Sequence, residues 1–95
     1  MTELIVDCSG VASVEDFWDR YVSSIGAENA TFFGRNLDAL WDALEGDGPG
    51  SPPATHLIFK NIGELKALET RSGNSFLKAL SVIADKVSRV RVEMI

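Results

Sequence analysis

The chain has 95 residues, 45% of them hydrophobic and 24% charged, which fits one compact domain over residues 1–95 with a single core. One cysteine, Cys8, excludes an internal disulfide, and neither a basic start ahead of a long apolar run nor a stretch of ~20 apolar residues is present; a cytoplasmic protein without membrane contact is expected. The formal net charge of -5 is unevenly spread: residues 1–50 hold ten acids and two bases, residues 51–95 four acids and seven bases, so the first half repels phosphate backbones and attracts cationic proteins.

Glu3-Leu4-Ile5-Val6-Asp7 is a short apolar run with β-branched residues, and Ser9-Gly10 supplies turn chemistry after it; a first strand is predicted. Ser13 can cap a helix in which Val14, Phe17, Trp18, Tyr21, Val22 and Ile25 recur at helical spacing, from Val14 to about Ser24, with Gly26 stopping it. Ala27 to Phe33 reads as one helical turn or a loop. Asn36 is a good N-cap for a helix from Leu37 to near Gly46, where Leu37, Leu40, Trp41 and Leu44 follow at i, i+3, i+4 and i+7 and dock one stripe onto the core. Asp47 to Pro53 holds Gly, Pro or Ser at six of seven positions, an exposed loop. Thr55 to Lys60 supplies a short buried strand, and Asn61 to Arg71 a brief helix or structured connection. After Ser72-Gly73-Asn74, Ser75 to about Lys86 carries Phe76, Leu77, Leu80, Ile83 and Ala84 on one side of a further helix. The last residues, Ser88 to Ile95, alternate polar and apolar as a half-covered strand does. Such long connections favour an α/β fold: a three-stranded parallel sheet, with strands near residues 3–7, 55–60 and 88–94, and helices packed on it.

The chemistry concentrates between Phe32 and Asp47. At about 100° per residue, Leu37, Leu40, Trp41 and Leu44 share one arc, and Asp38, Asp42 and Glu45 form a second stripe about 100° round the helix. Like charges at i, i+4 cost a few tenths of a kcal/mol, and a glutamate in the last turn opposes the helix dipole. Asp38, in the first turn, is explained by that dipole; Asp42 and Glu45 are not. Stability alone does not select this arrangement, which is either an acidic recognition face or a merely solvated one.

The aromatic pair Phe32-Phe33, then Gly34, Arg35, Asn36 and Leu37-Asp38-Ala39-Leu40-Trp41-Asp42, resembles the signature of the barstar family of intracellular ribonuclease inhibitors. The close match covers about 15 residues, and the length and order of elements are similar over nearly the whole chain. The resemblance implies that this loop and helix plug a nuclease active site, with carboxylates where substrate phosphates would lie. Asp42 would be the central phosphate mimic, facing arginines and a histidine, with Asp38 beside it. Phe32, Phe33, Gly34, Asn36, Leu37 and Trp41 would supply shape and apolar contact, and Gly46 with Asp47 would flank the site; Glu45 joins them through its place on the acidic stripe. The chain departs from the family's pattern in lacking an aromatic hydroxyl at Phe32, in placing Arg35 where an acid is usual and Asp47 near a usual tryptophan, and in Val82 near a peripheral acidic contact.

Catalysis is not expected, because a carboxylate pair doing acid/base work needs one buried member with a raised pKa, and Asp38 and Asp42 share an exposed face. No third oxygen ligand falls in register with them for a metal, and neither metal nor cofactor is expected. His56, the one histidine, has no evident nucleophile and reads as structural or superficial. Cys8 lies outside any CxxC pattern and reads as buried, and Trp18 as core. The expected protein is therefore a monomeric, antitoxin-like inhibitor of a basic ribonuclease that does not itself bind nucleic acid. The alternative is an adaptor of the same shape whose acidic face binds some other basic protein.

Overall fold

Strands β1 (Glu3–Asp7), β2 (His56–Lys60) and β3 (Arg91–Met94) form one parallel sheet in the order β1-β2-β3, seen in a computed structural model that describes residues 3–95. Alternation along each strand sends one set of side chains to the core. Leu4 and Val6 lie opposite Leu57 and Phe59, which in turn lie opposite Val92 and Met94. Val6, Leu57 and Phe59 are completely buried there.

Helix α1 (Val14–Ile25) begins where the Ser13 hydroxyl accepts the Asp16 amide at 3.1 Å, and ends at Gly26, whose φ of 92° suits glycine. It buries Phe17, Trp18, Tyr21 and Ile25. Helix α2 (Leu37–Gly46) starts on Asn36, which caps it as the sequence suggests, and helix α3 (Phe76–Lys86) on Ser75, whose hydroxyl accepts the Lys78 amide. The core they enclose is dense in aromatics. Phe17 packs edge-on against Trp18 at 4.9 Å and against Phe76 at 5.0 Å, and Trp18 reaches Phe33 at 5.6 Å.

The structure decides the segments whose reading was open and shifts some boundaries. Ala27 to Phe32 is a run of turns with no helix in it, and between Asn61 and Arg71 the only helical piece is a 3-10 turn, Ile62–Leu65. Strand β3 begins at Arg91 rather than at Ser88, because the Ser88 and Arg89 amides donate to the side chain of Glu45 instead of joining a ladder. Trp41 leaves the docking stripe. Leu40, Ala43 and Leu44 form the fully buried arc of α2, which turns Trp41 to the edge of the helix at 37% exposure.

His56 is structural: it is only 6% exposed, with Nδ1 3.3 Å from Glu3 and Nε2 3.0 Å from Glu93, between the two outer strands. Cys8 is buried, and burial pushes its thiol up to about 11. Among the described residues, no helix is long and apolar enough to cross a membrane.

Candidate functional site

Helix α2 owes its display to anchors at both ends. At its start, Asn36 accepts the Ala39 amide at 2.7 Å, and Gly34 leaves room where a Cβ would stand 3.2 Å from the Ala39 methyl. Arg35 has a φ of 53° and turns back onto α1, pairing with Asp19 and reaching Glu15 at 4.0 Å. At its end, Asp47 closes the helix at a φ of 56°, and Gly48 donates to the carbonyl of Asp42 at 3.1 Å. The two flanks are joined to each other, because the Gly50 amide donates to Asn29 and the Gly50 carbonyl accepts the Tyr21 hydroxyl, each at 2.8 Å.

Between these anchors the polar residues divide by what they touch. The carboxylates of Asp38 and Asp42 are exposed and make no hydrogen bond or ion pair among the described residues. On the helix they occupy neighbouring directions, and Trp41 stands about 60° round from Asp38, with only the engaged Glu45 between them. The Asp42 carboxylate leans over Gly46 and Gly48: a Cβ on Gly46 would stand 3.0 Å from Oδ1, and one on Gly48 would collide with Oδ2. Those glycines are the space the carboxylate occupies. The family resemblance implies Gly46 at the edge of the site, whereas in the sequence Gly48 reads only as part of a loop.

Glu45 behaves differently from its stripe. Its carboxylate accepts the Ser88 amide at 2.8 Å, the Ser88 hydroxyl at 2.9 Å and the Arg89 amide at 3.1 Å. These donors, the Ser88 amide foremost, hold its carboxyl below the ordinary glutamate range. Glu45 thus has a structural reason for its place, which the helix alone did not supply. Arg89 answers in the other direction, its guanidinium donating to the Leu44 and Ala43 carbonyls, each at 3.1 Å, where the helix dipole is negative. Asp47, 3.5 Å from the same guanidinium, is also engaged.

The aromatic pair splits as well. Phe32 stands 83% exposed at the tip of the turns, whereas Phe33 is 8% exposed and packs on Trp18 and Tyr21. Phe33 belongs to the core and shapes the face only by holding the loop, because its ring fills the space beside Gly50 that any side chain there would invade. Leu37 is half-buried against the core. A cleft of about 280 Å³ separates Phe32 from Asp47 and Gly48, and an open groove of about 650 Å³ runs along the other flank, from Asn36 and Asp38 to the turn at Arg71. Among the described residues no three His, Cys, Asp or Glu side chains converge as a metal would need.

The family model described as Barstar (barnase inhibitor) matches residues 1–95, the whole chain. Among curated proteins no match to the chain was found.

Proposed function

This chain belongs to the barstar family, and we propose that it is a single-domain protein inhibitor of a basic ribonuclease, monomeric when free, cytoplasmic and without catalytic activity, cofactor or metal of its own. The observation that carries this is the division of carboxylates on α2: Glu45 and Asp47 are used inside the fold, while Asp38 and Asp42 are left unpaired beside exposed Trp41. Residues at i and i+4 on one face stand about 5–6 Å apart, so the two carboxylates form a paired anionic patch. A nuclease cleft that binds RNA phosphates carries cations that lose water when the cleft is filled, and only a fixed counter-charge offsets that loss. Asp42 supplies it at the centre and Asp38 at its side. Phe32, Trp41, Gly34, Asn36 and Gly46 shape the rim, and Phe33 and Leu37 support it from below.

The test is titration of the purified chain into barnase and a panel of other small basic ribonucleases, reading RNA cleavage. Cleavage by at least one should fall to zero at one equivalent of inhibitor, and Asp42→Ala should restore it. If every nuclease stays active while the chain still retains a basic protein through Asp42, the adaptor role replaces inhibition.

A further inference from the structure

Arg89 lies between α3 and β3, outside the acidic segment, yet its guanidinium reaches the last turn of α2, the residue that caps it and the loop beyond. Nε donates to the Leu44 carbonyl at 3.1 Å, while Nη2 stands 3.1 Å from the Ala43 carbonyl, 2.8 Å from the Ser51 hydroxyl and 3.5 Å from the Asp47 carboxylate. Capping α2 requires only the two carbonyls. The contacts to Asp47 and Ser51 do something else, since these residues bound the loop that walls Asp42. That loop is continuous with Asp42 through its own bonds, Ser51 donating to Gly48 and Gly48 to Asp42. Asp47 also closes the helix at a left-handed φ of 56°, which aspartate adopts more readily than most non-glycine residues. Nε anchors the guanidinium on the Leu44 carbonyl, and that second point of attachment fixes where Nη2 stands against Ala43, Ser51 and Asp47, an orientation that an ammonium on a rotatable stem does not have.

We propose that Arg89 is a positioning residue for the acidic face, fixing the rim from Asp47 to Ser51 in one arrangement before a partner arrives. It has a second effect on the same face. By taking up the charge of Asp47, it leaves Asp38 and Asp42 as the carboxylates toward which a partner's cations are drawn. Ordering the rim in advance removes part of the entropy loss of association, and the gain appears chiefly in the dissociation rate. The binding consequence rests on the inhibitor role proposed above; the ordering of the rim does not.

Arg89→Lys keeps the net charge and removes the fork. In the free variant, hydrogen exchange at the Gly48, Gly50 and Ser51 amides should quicken by about tenfold or more while the Leu57 amide in β2 keeps its rate, the pattern of local rather than global opening. With barnase as the probe, the variant should dissociate about tenfold faster. Asp47→Asn should change dissociation less in the Arg89→Lys background than in the wild type, because the two act as one unit. Wild-type exchange across the rim overturns the proposal whatever the inhibition assays give. A loosened rim with unaltered dissociation overturns it equally, leaving Arg89 a helix cap. Failure of the wild type to bind barnase counts against that inhibitory target, and the exchange contrast then decides the ordering of the rim by itself.

Discussion

The Asp42 carboxylate has nothing to hold inside the fold, so its removal separates binding from stability. On the function proposed above, Asp42→Ala should weaken binding to the nuclease by at least about 2 kcal/mol, the size of a hot spot at an interface centre. Its melting temperature should stay level or rise slightly, since a carboxylate four residues from Asp38 is lost; calorimetric titration and thermal melts read the two effects. Gly48→Ala approaches the same carboxylate from the other side. The added methyl would drive Asp42 Oδ2 from its place, and because a surface carboxylate can swing away, affinity should fall while the melt barely moves. An equal loss in both measurements would show the backbone, and not the side chain, giving way. The neighbouring phenylalanines should part in the opposite manner: Phe33→Ala should cost about 3–5 kcal/mol of stability by opening the core, whereas Phe32→Ala should stay within about 0.5 kcal/mol in the same denaturation experiment.

At the scale of elements, α2 is held to the start of β3 by reciprocal contacts, Glu45 receiving the Ser88 and Arg89 amides and Arg89 covering the helix carbonyls. The acid half of this clamp has a pH signature. Donors keep the Glu45 carboxyl below its ordinary range, so the folded state binds its proton less readily than the unfolded chain does. Its stabilisation is complete above the unfolded value near 4.3 and disappears as pH falls through the lower, folded value. Melts of Glu45→Gln and of the wild type should therefore differ most at about pH 7 and converge as pH falls below the ordinary glutamate range. A difference that does not vary with pH would mean that the carboxylate's charge is irrelevant to the clamp. Asp7, held low by Asn61 and Ser9, contributes in the same direction and remains in both proteins.

Over the whole molecule, charge sets how a partner arrives. Ten of the fourteen acids lie in the first fifty residues, and α2 presents two of them without internal counter-ions. Association with a basic nuclease should be fast at low salt and slow markedly between about 50 and 500 mM, because screening shortens the reach of the field about threefold over that range. Stopped-flow rates across a salt series measure it, and a flat series would remove long-range steering from the mechanism. Dissociation should respond far less, since the contacts that govern it exclude water and ions.

Local order was legible in the sequence because its causes are local. Side-chain periodicity marked the three strands and three helices, and Ser13 and Asn36 cap where their spacing says, because a cap is settled within three or four residues. The shared face of Asp38 and Asp42 likewise needs only helical geometry. What the helix could not disclose was the direction of the core, and that is why Trp41 proved exposed and Ala43 buried. Nor could the sequence assign Phe32 and Phe33 to opposite environments, since adjacent loop residues carry no period. The partners of Glu45 and Asp47 were out of reach for a further reason: Ser88 and Arg89 stand more than forty positions away, and only the parallel crossover through α3 brings them to the end of α2. Which carboxylates exist and share a face was written in one helix; which of them remain unpaired was decided by the segment between α3 and β3 that returns beside it.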